Sequence, residues 1–156
     1  MPQLDDLAIG GVASHLEFNP LHGFATVSPV FPSLTTLNLL DCQCEARDLG
    51  AFLLRHGPML EVFWSTHLQI DGDLAEVVAM FRVIAARMTV FRRIVMNDPC
   101  ASDGVSIKFP EVNSCWSARE EDEDGFVWIE DRHGVDLEGR EEVSQGSKLM
   151  LADLTF

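Results

Sequence analysis

The clearest hydrophobic pattern of the chain lies at Leu34–Cys42, where apolar and polar positions alternate. Leu37 and Leu39 are two positions apart, so in a strand both side chains point to one face. Leu34 enters the same face from the preceding turn, and Cys42 lies where the chain bends out of the strand. The pattern therefore predicts a short strand that is buried on one face.

Similar patterns begin at Leu4, Leu60 and Phe91, which together with Leu34 gives spacings of 30, 26 and 31 residues. The unit that begins at Leu60 is imperfect, because Ser65 takes a position where an apolar residue is expected. The spelling L-x-x-L-x-L-x-x-C with a period of about 20–29 residues is typical of leucine-rich repeats. We therefore predict an α/β fold for residues 1–104, a short leucine-rich-repeat-like solenoid of parallel strands that alternate with helices.

Two segments between these strands have helical periodicity. Leu49, Phe52, Leu53 and His56 follow the i, i+3, i+4, i+7 pattern of a helix, and Gly57-Pro58 would end it. A second helix is predicted from Leu74 to Met88, with the segment 71–73 as its cap. Its apolar stripe consists of Leu74, Val77, Val78, Phe81, Ile84/Ala85 and Met88.

The remaining segments lack this regular pattern. Residues 12–33 contain several Pro and Gly residues, which favours loops or short turns. We predict that residues 105–156 form a β-rich C-terminal cap, because an open solenoid needs its end covered, or else a small appended β unit. Within it we expect a strand-like segment at Val105–Phe109, an acidic loop at 120–124, and an apolar tail at Lys148–Phe156. Asp131–Gly134 is predicted as a hairpin turn between Phe126–Ile129 and Val135–Leu137.

Three consecutive stretches resemble the C-terminal leucine-rich-repeat region of fungal F-box-type proteins. They are Leu34-Thr-Thr-Leu-Asn-Leu-Leu-Asp-Cys42, Asp48-Leu-Gly-Ala-Phe-Leu-Leu-Arg-His56 and Pro58-Met-Leu-Glu-Val-Phe63. The resemblance covers residues 34–98 well and 4–9 weakly. In such proteins the F-box recruits a ubiquitin ligase scaffold and the repeats select the target. The resemblance implies that this chain recognises another protein, in a ubiquitin-ligase-like context.

Composition narrows the class of partner. The chain carries 25 acidic against 11 basic residues, a net charge of −14, which argues against nucleic acid and anionic membranes. A protein with a basic surface is the expected partner, and homo-oligomerisation through an exposed edge or end stays open. The sequence shows neither the pattern of a secretory signal peptide nor an apolar stretch of about 18 residues. We therefore expect an intracellular protein, cytoplasmic or nuclear, whose cysteines are reduced.

The predicted binding surface consists of the strand positions that lie between the inward apolar residues. These positions are Thr36, Asn38, Leu40, Val62, Trp64, Thr66, Arg93, Val95 and Asn97. We expect Trp64 and Leu40 at the centre of this surface, since exposed aromatic residues are good partner anchors, and Arg93 at its periphery. A register slip of one residue would instead turn Trp64 inward and Ser65 outward, and the pattern leaves both registers open.

No catalytic residue, cofactor or metal site is predicted, so we expect a non-enzymatic protein. Cys42 and Cys44 are too close in sequence, and Cys100 and Cys115 too far apart, for the usual zinc-ligand spacing, so buried free thiols are expected. The acidic segments lack the ligand order of an EF-hand, and the nucleophile motifs of hydrolases are missing. The alternative is a small-molecule-binding or enzymatic α/β domain with a site in the C-terminal third, near Trp116, Trp128 and His133.

Overall fold

The computed structural model describes residues 4–10, 21, 31–87, 90–101, 104–108, 114–121, 127–143 and 145–146, with the backbone alone at 87, 114–121 and 127–133. In chain order the elements are β1 (Asp6–Gly10), β2 (Thr36–Leu40), β3 (Gln43–Glu45), α1 (Ala46–His56), β4 (Val62–Thr66), β5 (Gln69–Asp71), α2 (Leu74–Arg87), β6 (Arg93–Asn97), β7 (Cys100–Ala101), β8 (Ser114–Glu121) and β9 (Val127–Glu138). The fold is therefore mixed α/β.

The main sheet has six strands in the order β1-β2-β4-β6-β9-β8. Strands β1, β2, β4 and β6 are mutually parallel, and each begins two residues after a predicted unit start. Parallel strands that alternate with helices are confirmed for the part of the chain from β2 to β6. This arrangement follows from the sequence because each unit offers one apolar-alternating segment and then a longer segment that crosses back.

A second, three-stranded parallel sheet has the order β3-β5-β7, and each of its strands follows a main-sheet strand directly in sequence. The residue between the two strands adopts a left-handed conformation every time, with φ values of 46° at Asp41, 50° at His67 and 48° at Asp98. Asp and His adopt this conformation more readily than most side chains. The next residue, Cys42, Leu68 or Pro99, is buried. The chain thus turns out of the main sheet in the same way in three successive units.

The hydrophobic core joins one face of the main sheet to the two helices. Inward-facing Leu37, Leu39 and Phe63 belong to the same buried cluster as Phe52 of α1 and Phe81 of α2. The sequence predicted both helices and most of their apolar stripes.

Helix α2 begins with the cap that the sequence predicted. Asp73 Oδ1 accepts a hydrogen bond from the backbone N–H of Glu76, and the Glu76 carboxylate accepts one from the N–H of Asp73. This reciprocal pair is a capping box, which satisfies two of the free N–H groups of the first turn. The prediction was wrong for Leu74, which is 59% exposed, because it lies in that first turn and Val77, Met80 and Phe81 form the inward face.

His56 is a core residue at the end of α1. Its Nδ1 donates to the carbonyl of Phe52 at 3.0 Å, and its Nε2 accepts the N–H of Phe31 at 3.4 Å. Its ring also packs against the rings of both phenylalanines. Burial lowers the pKa of His56 below its usual 6.5, and nearby Arg55 lowers it further, against the opposing effect of the bond to Phe52. The neutral ring therefore links the segment before β2 to the first helix.

The C-terminal strands extend the main sheet in the opposite direction. Strand β9 pairs antiparallel with β6, and β8 pairs antiparallel with β9. The turn predicted at Asp131–Gly134 was wrong, since these residues lie inside the twelve-residue strand β9. The physical reason is that the alternation of the two strand faces continues through this segment without a break. Val127, Ile129 and the buried residues Val135 and Leu137 are separated by even numbers of positions, so all four fall on the same face.

The acidic loop predicted at 120–124 is wrong at its first two residues, which belong to β8, while 122–124 lie outside the described residues. The strand predicted at Val105–Phe109 is reduced to an isolated bridge between Cys100 and Ser106, with Phe109 not described. The loop predicted at 12–33, apart from 21 and 31–33, and the apolar tail at Lys148–Phe156 also lie outside the described residues. No helix within the described residues has the length and apolar character required to cross a membrane.

Candidate functional site

The candidate site is the face of the main sheet that points away from the buried core, which we call the open face. On the four inner strands of the sheet its positions are Thr36, Asn38 and Leu40 on β2, Val62, Trp64 and Thr66 on β4, Arg93, Val95 and Asn97 on β6, and Gly134, Asp136 and Glu138 on β9. It contains all nine residues that the sequence predicted for partner binding.

The strand register brings these residues into rows across the sheet. Asn38, Trp64, Val95 and Asp136 form the central row. A second row contains Thr36, Val62, Arg93 and Glu138, and a third contains Leu40, Thr66, Asn97 and Gly134. Residues that are 26 to 45 positions apart in sequence are thus neighbours on one surface.

The register at Trp64 is the one that places the indole on the open face. Phe63 and Ser65, on either side of it, have no exposed surface, while Trp64 is half-buried. The alternative slip by one residue, which would have buried Trp64 and exposed Ser65, is not found. The cost of this register is a serine in the core, since Ser65 Oγ has no hydrogen-bond partner among the residues that the structure describes.

Trp64 is held by two side chains of the open face. Its indole Nε1–H donates to Thr66 Oγ1 at 3.3 Å, and the guanidinium carbon of Arg93 lies 5.4 Å from the ring centroid. A guanidinium at this distance is attracted by the electron-rich ring face. Asn97 Nδ2 also approaches Thr66 Oγ1, at 3.5 Å. The tryptophan is therefore fixed before any partner arrives.

Arg93 has a different environment from the peripheral contact that the sequence predicted. Its Nε and Nη2 groups donate to the two carboxylate oxygens of Asp136 at 3.2 and 2.9 Å, a bidentate pair. This hydrogen bonding, together with the charges of Asp136 and Glu138, raises the pKa of Arg93 above its usual value. Arg93 thus positions Trp64 and joins β6 to β9. Sequence reasoning missed Asp136, because its place beside Arg93 depends on the antiparallel register of β9.

The two apolar residues that flank Trp64 differ in exposure. Leu40 is 36% exposed at the carboxyl end of β2 and offers apolar surface to solvent. Val95 is only 3% exposed, since it lies between Trp64 and Asp136 in the central row, so it contributes little surface of its own. The sequence placed Val95 in the predicted binding surface, and whether it contacts a partner stays a prediction.

A row formed by Asp41, His67 and Asp98 borders the open face at the carboxyl ends of the parallel strands. His67 Nδ1 donates to Asp41 Oδ1 at 2.8 Å, and His67 Nε2 lies 3.7 Å from Asp98 Oδ2. The three residues occupy the same left-handed position in successive units, directly after Leu40, Thr66 and Asn97. Sequence reasoning missed this row, although the repeat spacing gives it, because each residue follows the last strand position of its unit.

The described residues contain no cluster of metal ligands, and two of their cysteines are buried. No group of three His, Cys, Asp or Glu side chains within the described ranges could hold a metal ion. Cys42 and Cys44 are free thiols, and both are buried as expected. Burial, followed by the charge of Asp41, raises the pKa of Cys42 to about 11, and burial raises the pKa of Cys44 above the usual range for thiols.

The alternative site near Trp116, Trp128 and His133 lies at positions whose side chains are not described. The register places Trp116 beside Arg132 and Cys115 beside His133 on the β8–β9 pair. No family model, no curated protein and no solved structure matches this chain.

Proposed function

We propose that this chain is a non-enzymatic recognition module that binds another protein through the open face of a short leucine-rich-repeat-like solenoid. The observation that carries the proposal is the arrangement around Trp64, which lies outward on a strand with a parallel neighbour on each side. Arg93 and Thr66 hold its indole, and exposed Leu40 lies on the adjacent strand. Aromatic residues that are rigid and partly exposed are typical anchors of protein interfaces.

The solenoid part of the proposal is supported by the repetition of backbone detail. After β2, β4 and β6 the chain passes through one left-handed residue, one buried residue and a strand of the second sheet. Units that repeat in this way bury their apolar faces by stacking on their neighbours, and they leave one continuous surface for binding.

The binding part is supported by preorganisation. A side chain that is already ordered loses little rotamer freedom when a partner binds, and this loss otherwise costs about 0.5–1.5 kcal/mol per side chain. Trp64 has its N–H group and one ring face already engaged within the protein. We further propose target recognition in a ubiquitin-ligase-like context, a step that rests on the resemblance of residues 34–63 to F-box-type repeats.

The test compares partner capture by four forms of the full chain, wild type, Trp64→Ala, Leu40→Ser and Leu54→Ser, with quantitative mass spectrometry of the bound proteins. Leu54 is the matched control, because it is 51% exposed on helix α1 and does not belong to the open face. We expect the same proteins to be recovered by wild type and Leu54→Ser.

Recovery of these proteins should fall about tenfold or more with Trp64→Ala, the effect of losing roughly 1.4 kcal/mol or more. Ligase subunits among them would support the proposed context. Circular dichroism should show that all four forms are folded. Equal recovery by Trp64→Ala and wild type would refute the proposed binding face.

A further inference from the structure

The open face and the bordering row of Asp41, His67 and Asp98 use their hydrogen-bonding groups unevenly, because their strongest donors already have partners. The guanidinium of Arg93 donates to Asp136, the indole N–H of Trp64 donates to Thr66, and the ring of His67 donates to Asp41. A partner that offers carboxylates or carbonyl oxygens would have to compete with these internal bonds.

Acceptors, in contrast, are in excess on the same surface. Within the described part of the chain Asn38 Oδ1 has no hydrogen-bond partner, although it is withdrawn from solvent. Asp41 accepts one bond from His67 while its side chain stays 49% exposed. A carboxylate offers about four acceptor positions, so capacity remains at Asp41 and also at exposed Glu138. The exposed carboxylates therefore leave room for a cationic donor from a partner.

The excess of acceptors adjoins the exposed apolar surface. Asp41 follows Leu40 directly, and Leu40 shares the third row of the sheet with Thr66 and Asn97. If a basic residue of a partner is bound at Asp41, the next residue of that partner would therefore lie over Leu40 and near Trp64. Lysine and arginine suit such a place, because their aliphatic stems cover apolar surface while their charged ends reach a carboxylate.

We propose that the open face binds a segment of another protein in which a lysine or arginine stands beside an apolar residue. The cationic group donates to Asp41, and the apolar side chain packs on Leu40 and Trp64. This inference rests on the proposed function and names the chemistry of its partner. A second copy of the chain fits poorly, because each copy carries a net charge of −14 and would present the same acceptors.

The experiment selects peptides from a random dodecapeptide phage library on the wild-type chain at low salt. Selected peptides are then synthesised, and their binding is measured by fluorescence polarisation to wild type, Trp64→Ala, Asp41→Asn and Asp73→Asn. Asparagine adopts the left-handed conformation at least as readily as aspartate, so Asp41→Asn should fold. Asp73→Asn is the matched control, since it removes the same charge at the start of α2 and asparagine is an equally good helix cap.

We expect the selected peptides to share a basic residue next to an apolar one and to lose binding with Trp64→Ala. Asp41→Asn should weaken them about two- to fivefold, the range of an exposed ion pair, and Asp73→Asn should not. Raising the salt from 50 to 500 mM should weaken binding to wild type more than binding to Asp41→Asn.

Two results would overturn the inference. Trp64-dependent peptides that are neutral or acidic, or that are indifferent to Asp41→Asn, would refute a cationic partner while leaving the open face as a protein-binding surface. If no Trp64-dependent peptide is selected, the inference fails as well, and the capture experiment with whole proteins decides separately whether the proposed function survives.

Discussion

Replacing Ser65 with alanine should stabilise the protein. Ser65 points into the core from β4 and has no exposed surface, and among the described residues its hydroxyl has no hydrogen-bond partner. At the corresponding register positions β2 has Leu39 and β6 has Met96, both buried and apolar. The serine therefore brings a polar group to a place that its neighbours fill with hydrocarbon.

The size of the effect follows from two opposing contributions. A buried hydroxyl that lacks a partner costs about 1–3 kcal/mol, the free energy of removing it from water. Deleting the oxygen leaves a void no larger than a methyl group, which costs at most about 1 kcal/mol. The free energy of unfolding of Ser65→Ala should thus rise by about 0.5–2 kcal/mol. For a chain of this length the melting temperature should rise by about 2–4 °C per kcal/mol.

Urea unfolding followed by circular dichroism measures this change, with Leu39→Ala as the control on the neighbouring strand. Leu39→Ala truncates a fully buried apolar side chain, so it should lower the free energy of unfolding by about 2–5 kcal/mol. If Ser65→Ala is as stable as wild type or less stable, the hydroxyl makes a favourable interaction in solution. The reasoning about an unpaired polar group on β4 would then be refuted.

Two further predictions concern the buried titratable groups. Because burial lowers the pKa of His56, the unfolded chain binds a proton there more readily than the folded chain. The contribution of neutral His56 to the free energy of unfolding should therefore be complete above pH 6.5 and decline as the pH falls below it. In urea unfolding, the free energy of unfolding should differ less between pH 5 and pH 7.5 for His56→Gln than for wild type. The thiols of Cys42 and Cys44 should resist iodoacetamide at pH 8 in the folded protein and react in urea, while half-buried Cys100 should react first of these three, as measured by peptide mass spectrometry.

Each of these predictions has a clear contrary result. An equal pH dependence in wild type and His56→Gln would mean that the proton on His56 does not distinguish folded from unfolded protein. Rapid labelling of Cys44 without urea would mean that the segment around β3 opens to solvent far more easily than its packing indicates.

The main-sheet strands of the first two thirds were predictable because each one is local, whereas the short strands β3, β5 and β7 of the second sheet were not predicted. Leu37 and Leu39 identify β2, and Phe63 identifies β4, from a period that spans only a few residues. The outward direction of Trp64 was harder, since Ser65 inside and Trp64 outside go against the preference of each residue alone. The packing of all inward-facing residues of the unit decides the strand register, and the preference of a single residue does not outweigh that packing.

The C-terminal part and the bonds of the open face were not predictable for a physical reason. Gly134 suggested a turn, yet it pairs with Asn97 inside a long antiparallel ladder. The contact between Arg93 and Asp136 joins residues 43 positions apart and exists only in that register. The link between Asp41 and His67 likewise needs the stacking of two units. Such contacts depend on tertiary pairing, which local patterns do not contain.

The change of strand direction at β9 determines where this protein could gain length. The strand of a duplicated unit placed between β4 and β6 would have a parallel neighbour on each side. All ladders of this part of the sheet would then still be parallel. The same unit placed after β6 would have to displace β9, whose ladder runs from Arg93 to Asn97 on that edge. Expansion or engineered lengthening of this architecture should therefore succeed in the interior of the array, and the antiparallel strand should remain its last member.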